Sequence, residues 1–404
     1  MAKLREITLP PQLKESLVQG HPWVYRDRLP RTLRFETGTW VRVRCNNWTG
    51  FGLWDNKGPI AIRIFSQRLL PEARWLKERV QAAWELRSPL REQNCTAYRW
   101  LFGEGDGLPG ITVDLYGDYA VVQTYMEGAS TLLDWLVKAL REIAPLQGIL
   151  WRTKHQEETE SNDHKNDKHN NTKDNKTQLL WGKEPKGDIT VKEHGLLFQV
   201  NLQTGQKTGL FLDHRENRRF VGKLSQGKTV LNCFSYTGAF SLYALRGGAS
   251  HVTNVDVGKQ LADVANINVR LNQFDGDRHS FVTADCFDVL QRYAAEKKTF
   301  DIVILDPPTF AKNKKNRFSA IRAYTKLNAL ALKCVAPGGL LISASCTSQV
   351  SPEDFKTMLA AAAGGDRQIQ ILHEAGQPLD HPIPAGFPEG RYLKFVVGKV
   401  NLIV

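Results

Sequence analysis

The feature that most constrains the fold is a regular alternation of apolar, strand-like runs with helical segments from about residue 190 onward. The spacing predicts helices between the runs, for instance over 259–272 and 319–335. Strands are expected at 229–234, 251–257, 280–285, 300–306, 339–345, 368–374 and 392–400. Because parallel strands need crossover connections, this alternation predicts an α/β fold built on a doubly wound, Rossmann-like sheet.

Two of these strands end in chemically reactive groups. Asp306 follows the apolar run FDIVIL and precedes Pro307-Pro308, and Cys346 follows the run GGLLISAS. Open α/β sheets place their chemistry at the carboxyl ends of the strands. A thiol and a carboxylate at that edge, beside a methyl-donor site, suit covalent attack on a pyrimidine ring. The competing interpretation is that Cys346 is a buried residue that only fills the core.

A turn after the first strand of this sheet has the composition of a ligand-binding loop. The string NCFSYTG (232–238) lacks the glycine spacing of dinucleotide enzymes and the lysine of a P-loop. Gly238 lets the backbone approach a ligand closely. Asp256, which ends the next strand, can accept hydrogen bonds from ribose hydroxyls, and Asp285 from an adenine amino group. A strand-end aspartate such as Asp285 can also merely cap the following helix.

The N-terminal region is basic and rich in aromatic residues. Residues 1–70 contain twelve Lys or Arg against five Asp or Glu, within a chain whose formal net charge is +12. Tryptophans are interleaved with these arginines, a pattern that suits phosphate neutralisation and base stacking. The alternative is an ordinary solvated basic face. The candidate RNA-binding arginines are Arg26, Arg28, Arg42 and Arg44.

Composition divides the chain into three expected domains. Residues 1–70 have short strand patterns typical of a small β-barrel. Residues 71–200 have the mixed helix and strand patterns of a central α+β domain. Residues 201–404 form the α/β domain. The central domain contains a tract, 154–178, without a single apolar residue, which we interpret as a disordered insertion. Its histidines keep no ligand spacing, and we expect no metal site.

The cysteines and the apolar runs indicate the cellular compartment and whether a membrane is a partner. The six cysteines are scattered without a C-x-x-C pair, which favours free thiols in a reducing compartment over zinc or disulfides. No apolar run approaches the length of a membrane span, and the N-terminus lacks a signal-peptide core. We therefore expect a cytoplasmic protein that does not contact a membrane. The sequence leaves the oligomeric state open, a homodimer included.

Several sequence strings of the chain resemble those of a known family. From about 203 to 400 it is similar to class I S-adenosylmethionine (SAM)-dependent RNA methyltransferases, on the strings QTGQKTGLFLDHRENR (203–218), NCFSYTG and DPPTF (306–310). ESLVQGHPWVY (15–25), GEGDGLPGITVD (103–114) and PEGRYLK (388–394) resemble the RlmI-like cytosine-C5 methyltransferases of large-subunit rRNA. That family joins a PUA domain, a central α+β domain and a catalytic domain.

The resemblance implies site residues and a reaction. Cys346 would add to C6 of a cytosine in large-subunit rRNA, Asp306 would contact the base near N3 and its amine, and C5 would take the methyl group, leaving S-adenosylhomocysteine (SAH). Lys312 and Lys314 would join the N-terminal arginines in binding RNA. The implied SAM-binding residues are Thr208, Asp213, Arg215, Asn232, Phe234, Ser235, Tyr236, Gly238, Asp256, Asp285, Cys286 and Asp306.

One departure keeps other specificities open. Two-cysteine RNA cytosine-C5 enzymes carry a second cysteine for product release where this chain has Thr309. The one-cysteine pattern is shared with RNA uracil-C5 methyltransferases, and DPPTF with its lysine-rich loop also resembles guanine-N7 methyltransferase domains, in which Cys346 would be incidental. A non-catalytic RNA-binding assembly factor that keeps SAM structurally is the alternative from a different class.

Overall fold

The computed structural model describes residues 4–153, 177–203, 210–310 and 316–403. These residues form two compact units. The first unit takes its described residues from Met1–Ile189, Val200–Leu210 and Asp380–Pro388, and the second from Thr190–Gln199, Phe211–Leu379 and Glu389–Val404. The expected division into three domains at residues 70 and 200 is finer than these two units and stays a prediction. The polar tract lies outside the described residues except for Thr177 and Gln178, which begin a strand.

The first unit contains two five-stranded sheets. Their strands are β1 (Arg5–Thr8), β2 (Trp23–Tyr25), β3 (Trp40–Cys45), β4 (Trp48–Trp54), β5 (Ile60–Ser66), β6 (Ala97–Phe102), β7 (Ile111–Tyr116), β8 (Tyr119–Thr124), β9 (Gly148–Thr153) and β10 (Thr177–Gly182). The strand orders are β1-β3-β4-β5-β2 and β10-β9-β8-β7-β6. The helices are α1 (Lys14–Val18), α2 (Ala73–Leu86), α3 (Ser88–Glu92) and α4 (Leu133–Ile143).

Alternating side chains determine which face of the N-terminal sheet is buried. In β3 the apolar residues Val41, Val43 and Cys45 are fully buried, whereas Arg42 and Arg44 point to the opposite face. In the second sheet both faces are covered, and every residue of β7 is buried. Apolar residues of α2 and α4 pack into the same core as this sheet.

The second unit is built around a seven-stranded sheet. Its strands are β13 (Thr229–Cys233), β14 (His251–Asp256), β15 (His279–Thr283), β16 (Phe300–Leu305), β17 (Val335–Cys346), β18 (Arg367–Ala375) and β19 (Leu393–Leu402), preceded by the pair β11 (Ile189–Glu193) and β12 (Leu196–Val200). Its helices are α5 (Arg215–Leu224), α6 (Ala239–Arg246), α7 (Leu261–Leu271), α8 (Cys286–Ala295), α9 (Arg317–Lys333) and α10 (Pro352–Ala363).

The strand order is β15-β14-β13-β16-β17-β19-β18, and it reverses direction from β13 as a doubly wound sheet requires. The strands from β13 to β17 pair in parallel. The last strand, β19, lies antiparallel between β17 and β18. All seven expected strands are present, and the sheet is mixed because the chain ends in an antiparallel pair. Among the described residues, every helix is too short or too polar to cross a lipid bilayer.

Candidate active site

Four neighbouring strands bring candidate residues to one edge of the seven-stranded sheet. In the order β14-β13-β16-β17, the carboxyl ends carry Asp256, the turn after Cys233, Asp306 and Cys346. These strands are parallel, so their carboxyl ends share one edge. The structure therefore assembles at one edge the groups that lie far apart in the sequence.

The turn after β13 has an unusual backbone conformation. Phe234, Tyr236 and Gly238 have positive φ angles of 59°, 49° and 80°. A Cβ atom on Gly238 would lie 2.8 Å from Asn254 Nδ2, so only glycine fits without a shift. The Tyr236 N–H donates to Asp256 Oδ2 at 3.0 Å, which links the turn to the neighbouring strand end.

One buried hydroxyl in this turn has no hydrogen-bond partner in the described part of the chain. Ser235 is 7% exposed, and its Oγ atom is buried without a hydrogen-bond partner among the described residues. A buried polar atom left unpaired costs free energy unless a ligand or water satisfies it. Ser235 is therefore the clearest sign in this turn that a polar ligand belongs here.

Three of the predicted cofactor residues are held by hydrogen bonds within the protein. Asn232 is buried and donates to Ser241 Oγ at 3.0 Å. Cys286 is buried in the core, where its Sγ accepts from the Phe234 N–H at 3.2 Å. Asp285 caps α8 by accepting from the Phe287 N–H at 2.7 Å, and its exposed position leaves its second carboxylate oxygen outside that bond. Their roles toward SAM stay predictions.

The start of α5 and the residues just before it contribute two buried charged residues. Asp213 Oδ2 accepts from the Tyr392 hydroxyl at 2.8 Å, which joins this segment to the residue before β19. Arg215 is fully buried, and its Nε lies 3.2 Å from Glu216 Oε1. Arg215 and His194 both hydrogen-bond to Glu216, and although burial opposes ionisation they lower its pKa to about 2. Thr208 lies outside the described residues.

Asp306 has a histidine beside it that the sequence pattern did not indicate. His214 Nε2 lies 3.3 Å from Asp306 Oδ1, and the imidazole is 2% exposed. Its Nδ1 lies 3.1 Å from Asn217 Nδ2, an amide nitrogen that can only donate. The imidazole therefore accepts at Nδ1 and carries its proton on Nε2, the nitrogen that lies 3.3 Å from the carboxylate. Nε2 has no well-aligned hydrogen bond within the described part of the chain.

Cys346 differs from the other cysteines in its exposure. It is partly exposed, whereas the other five are buried. Its preceding residue, Ser345, donates to the Tyr324 hydroxyl at 3.2 Å. Burial first, and then the nearby charges of Cys346 and Asp306, raise the pKa of Tyr324 to about 12. The charges of both Cys346 and Asp306 act on the Tyr324 phenol, and these two residues lie at the ends of the neighbouring strands β16 and β17.

Lys394 is the second residue that the sequence pattern did not indicate. It pairs with Ser345 across β17 and β19, and only 6% of it is exposed. Its Nζ donates to the backbone carbonyls of Thr347 and, at 2.9 Å, Tyr392. Burial lowers the pKa of Lys394 to about 8, against the opposing effect of Cys346. The string PEGRYLK contains this residue, but nothing in that string indicates its proximity to the thiol.

The four predicted RNA-binding arginines fall into two groups. Arg26 is held in place, because its guanidinium donates to the carbonyl of Gly58 at 2.9 Å and to those of Asp55 and Lys57. Arg42 lies over the Phe51 ring at 5.6 Å. The side chains of Arg28 and Arg44 are 62% and 52% exposed, and each lies near one carboxylate, that of Asp27 and of Glu6 respectively. Lys312 and Lys314 lie outside the described residues.

Comparisons with known proteins agree with this architecture. Residues 137–383 match a family model described as S-adenosylmethionine-dependent methyltransferase, and residues 7–67 match a PUA-like domain. Proteins named Ribosomal RNA large subunit methyltransferase I, from Aeromonas salmonicida and Shewanella amazonensis, are each 36% identical to this chain. The alignments cover 95% and 98% of this chain and 96% and 99% of those proteins.

Solved structures share this fold. SMU.776, described as a methyltransferase and crystallised with SAH, superposes with a TM-score of 0.86 at 25% identity, over 98% of this chain and 100% of that one. A SAM-dependent methyltransferase structure from Streptococcus mutans gives 0.84 at 24% identity, with the same coverage.

Proposed function

Because the chain belongs to the ribosomal RNA large subunit methyltransferase I family of SAM-dependent methyltransferases, we propose that it forms 5-methylcytidine in large-subunit (23S-type) rRNA. The observation that carries this proposal is Cys346, the one partly exposed cysteine, at the strand edge that also carries Asp306. Cytosine C5 is weakly nucleophilic until a nucleophile adds at C6, and a thiolate is suited to that addition.

The residues at the sheet edge fit SAM, the cofactor of this family. The positive-φ turn, the unpartnered Ser235 hydroxyl and the acidic end of β14 provide close backbone approach, a free polar atom and an acceptor for ribose hydroxyls. We assign Phe234, Ser235, Tyr236, Gly238 and Asp256 to direct contact with SAM. Asn232 and Cys286 support the turn through hydrogen bonds, Asn232 by donating to Ser241 and Cys286 by accepting from the Phe234 N–H. When bound, SAM supplies an electrophilic methyl group.

In the proposed mechanism, Cys346 attacks the base as a nucleophile and Asp306 binds it through hydrogen bonds. The Cys346 thiolate forms a bond to C6, and the electron pair of the C5–C6 double bond becomes available at C5. Asp306 accepts from the exocyclic amine beside N3 and holds the ring in place. After methylation C5 loses its proton to solvent, the electron pair of the C5–H bond restores the C5–C6 double bond, and the C6–S bond breaks to release the Cys346 thiolate.

His214 positions Asp306 for this task. The direction of its Nε2–H toward Oδ1 favours one carboxylate rotamer and leaves the second oxygen available for the base. Because the imidazole is buried and acts on the base only through Asp306, we treat it as a positioning residue rather than a catalytic one.

The rRNA substrate follows from the family and from charge. The exposed Arg28 and Arg44 offer guanidinium groups that can neutralise phosphates. Arg26 and Arg42 are engaged with the protein itself, and we propose that they shape this surface rather than reach the RNA.

Mass-spectrometric mapping of rRNA from cells with and without the protein tests the reaction. A 5-methylcytidine in large-subunit rRNA that depends on the protein is the expected result. Loss of 5-methyluridine or 7-methylguanosine instead would contradict cytosine specificity, and no change in rRNA would favour a non-catalytic assembly factor.

A second experiment tests the nucleophile. Cys346→Ala should reduce methyl transfer to purified rRNA below detection, whereas Cys334→Ala, which removes a buried cysteine of the same unit, should retain most of it. Transfer of labelled methyl groups is the measurement. Retained transfer in Cys346→Ala would exclude the covalent mechanism.

A further inference from the structure

Lys394 is an unusual lysine for its position in a strand. Lysine is almost never fully buried unless its ammonium group is paired, yet this side chain is 6% exposed. Lys399 on the same strand is exposed, as is usual for lysine. Among the described residues, no carboxylate forms an ion pair with Lys394. Burying an ammonium group without a carboxylate costs free energy. A buried lysine at this position therefore implies that another group interacts with its nitrogen.

The hydrogen bonds of Lys394 leave one position on its nitrogen for that partner. Two backbone carbonyls, those of Thr347 and Tyr392, accept from Nζ. A neutral amine has two N–H groups, which these carbonyls satisfy, and one lone pair. Protonation converts that lone pair into a third N–H. The carbonyls therefore fix the nitrogen in either protonation state and leave one site that can gain or lose a proton.

The ionisable side chain next in sequence to one of these anchoring carbonyls is that of Cys346. Thr347, whose carbonyl anchors Nζ, directly follows Cys346, and Lys394 faces Ser345 across the strand pair. The two ionisable groups interact, since Cys346 opposes the lowering of the lysine pKa to about 8 that burial causes. An amine in that range and a thiol, whose ordinary pKa is about 8.5, can exchange a proton at little cost.

We propose that Lys394 is the acid–base partner of Cys346. The proton moves from Sγ to Nζ: the S–H bond breaks, an N–H bond forms, and the resulting thiolate is stabilised by the adjacent ammonium. The sulfur electron pair is then free to bond to the pyrimidine. This proposal rests on the proposed covalent role of Cys346 and adds the source of its thiolate.

The other ionisable groups in this region are less suited to accept the Cys346 proton and stabilise the thiolate. Asp306 is a carboxylate whose charge disfavours a second anion nearby, and His214 directs its N–H at that carboxylate. Tyr324 from α9 interacts with Cys346, but its raised pKa of about 12 keeps the phenol protonated. A cation is therefore needed to support a thiolate here, and Lys394, whose Nζ is bonded to the carbonyl of the residue after Cys346, can supply it.

Alkylation of Cys346 in the full-length protein measures this pairing without methyl transfer. Iodoacetamide reacts with the thiolate, and because the other five cysteines are buried, peptide mass spectrometry can follow Cys346 selectively. The rate is recorded across the neutral to alkaline range for the wild type, Lys394→Met and the matched control Lys399→Met. A Lys394→Gln variant, which keeps amide donors for the two carbonyls, serves if Lys394→Met does not fold.

Loss of the cation should raise the pH midpoint of alkylation by about one unit, which is an about tenfold slower reaction below the midpoint. Lys399→Met should match the wild type. In Lys394→Met and Lys394→Gln, kcat for methyl transfer should fall while KM for rRNA stays constant, and higher pH should restore part of kcat.

An unchanged alkylation profile in folded Lys394→Met or Lys394→Gln would overturn the pairing. Failure of the proposed function gives a different signature, because retained methyl transfer in Cys346→Ala leaves the alkylation result intact.

Discussion

At the scale of single residues, the contact between His214 and Asp306 gives a direct prediction. His214→Phe keeps an aromatic ring in the buried site and removes the N–H that lies 3.3 Å from Asp306 Oδ1. A well-aligned hydrogen bond to a charged group is worth about 1.5–3 kcal/mol, and because this contact is not well aligned we expect kcat to fall by up to about tenfold. The KM for SAM should not change, because Asp306 would be displaced while the turn after β13 stays intact. Steady-state kinetics with purified rRNA is the measurement.

The control for this prediction is His373→Phe. His373 stacks on Phe220 with ring centroids 4.0 Å apart, and phenylalanine preserves that stacking. This variant should keep the wild-type kcat. Equal losses in both variants would show that the effect of His214→Phe is general destabilisation rather than displacement of Asp306.

The sequence predicted the residues that end strands but not those that approach from elsewhere. Asp306 and Cys346 could be selected because each follows an apolar run, and a strand end has a known direction in an α/β sheet. His214 and Lys394 reach the same region from the start of α5 and from an antiparallel strand. Their relevance depends on tertiary contacts, which a periodicity does not contain.

At the scale of secondary-structure elements, the turn between β13 and α6 carries the next prediction. Gly238→Ala places a Cβ atom 2.8 Å from Asn254 Nδ2 and forces a residue with φ of +80° into the left-handed region. That conformation costs an alanine about 1–2 kcal/mol, and the contact adds to it. We expect lower stability in denaturant unfolding and weaker SAM binding by calorimetry, since the turn itself would move.

Gly276→Ala is the matched control. A Cβ atom on Gly276 would have no neighbour within 4 Å among the described residues, and the backbone there does not require glycine. This variant should retain wild-type stability and SAM affinity. Unchanged SAM affinity in Gly238→Ala would argue against a close backbone approach of the cofactor at this turn.

The elements also show where prediction from sequence stopped. All strands of the seven-stranded sheet were predicted because their apolar runs are short and bounded by helices. The insertion of β19 between β17 and β18 was not, since strand order depends on pairing that no local pattern encodes. The same holds for Asp380: its carboxylate accepts from the Arg99 N–H and its carbonyl accepts from Arg87, which places Asp380–Pro388 in the first unit.

At the scale of the whole molecule, the charge of the chain bears on its RNA affinity. The formal net charge is +12, and the first 70 residues carry a surplus of seven basic groups. Net charge alone attracts any polyanion, whereas a binding surface requires exposed cations at defined places. The structure separates these contributions, because Arg26 is bonded to carbonyls of the loop between β4 and β5, whereas the side chains of Arg28 and Arg44 are exposed.

Replacing both Arg28 and Arg44 with alanine should weaken rRNA binding and make it less sensitive to salt. Each phosphate contact contributes about one to the slope of log affinity against log salt concentration, so the double variant should lose about two. Arg74→Ala is the control, since Arg74 is an exposed arginine on α2 outside the predicted surface. Binding titrations between low and physiological salt provide the slopes. If Arg74→Ala reduces the slope per residue as much as the double variant does, the affinity comes from overall charge, and the N-terminal sheet is not a specific RNA surface.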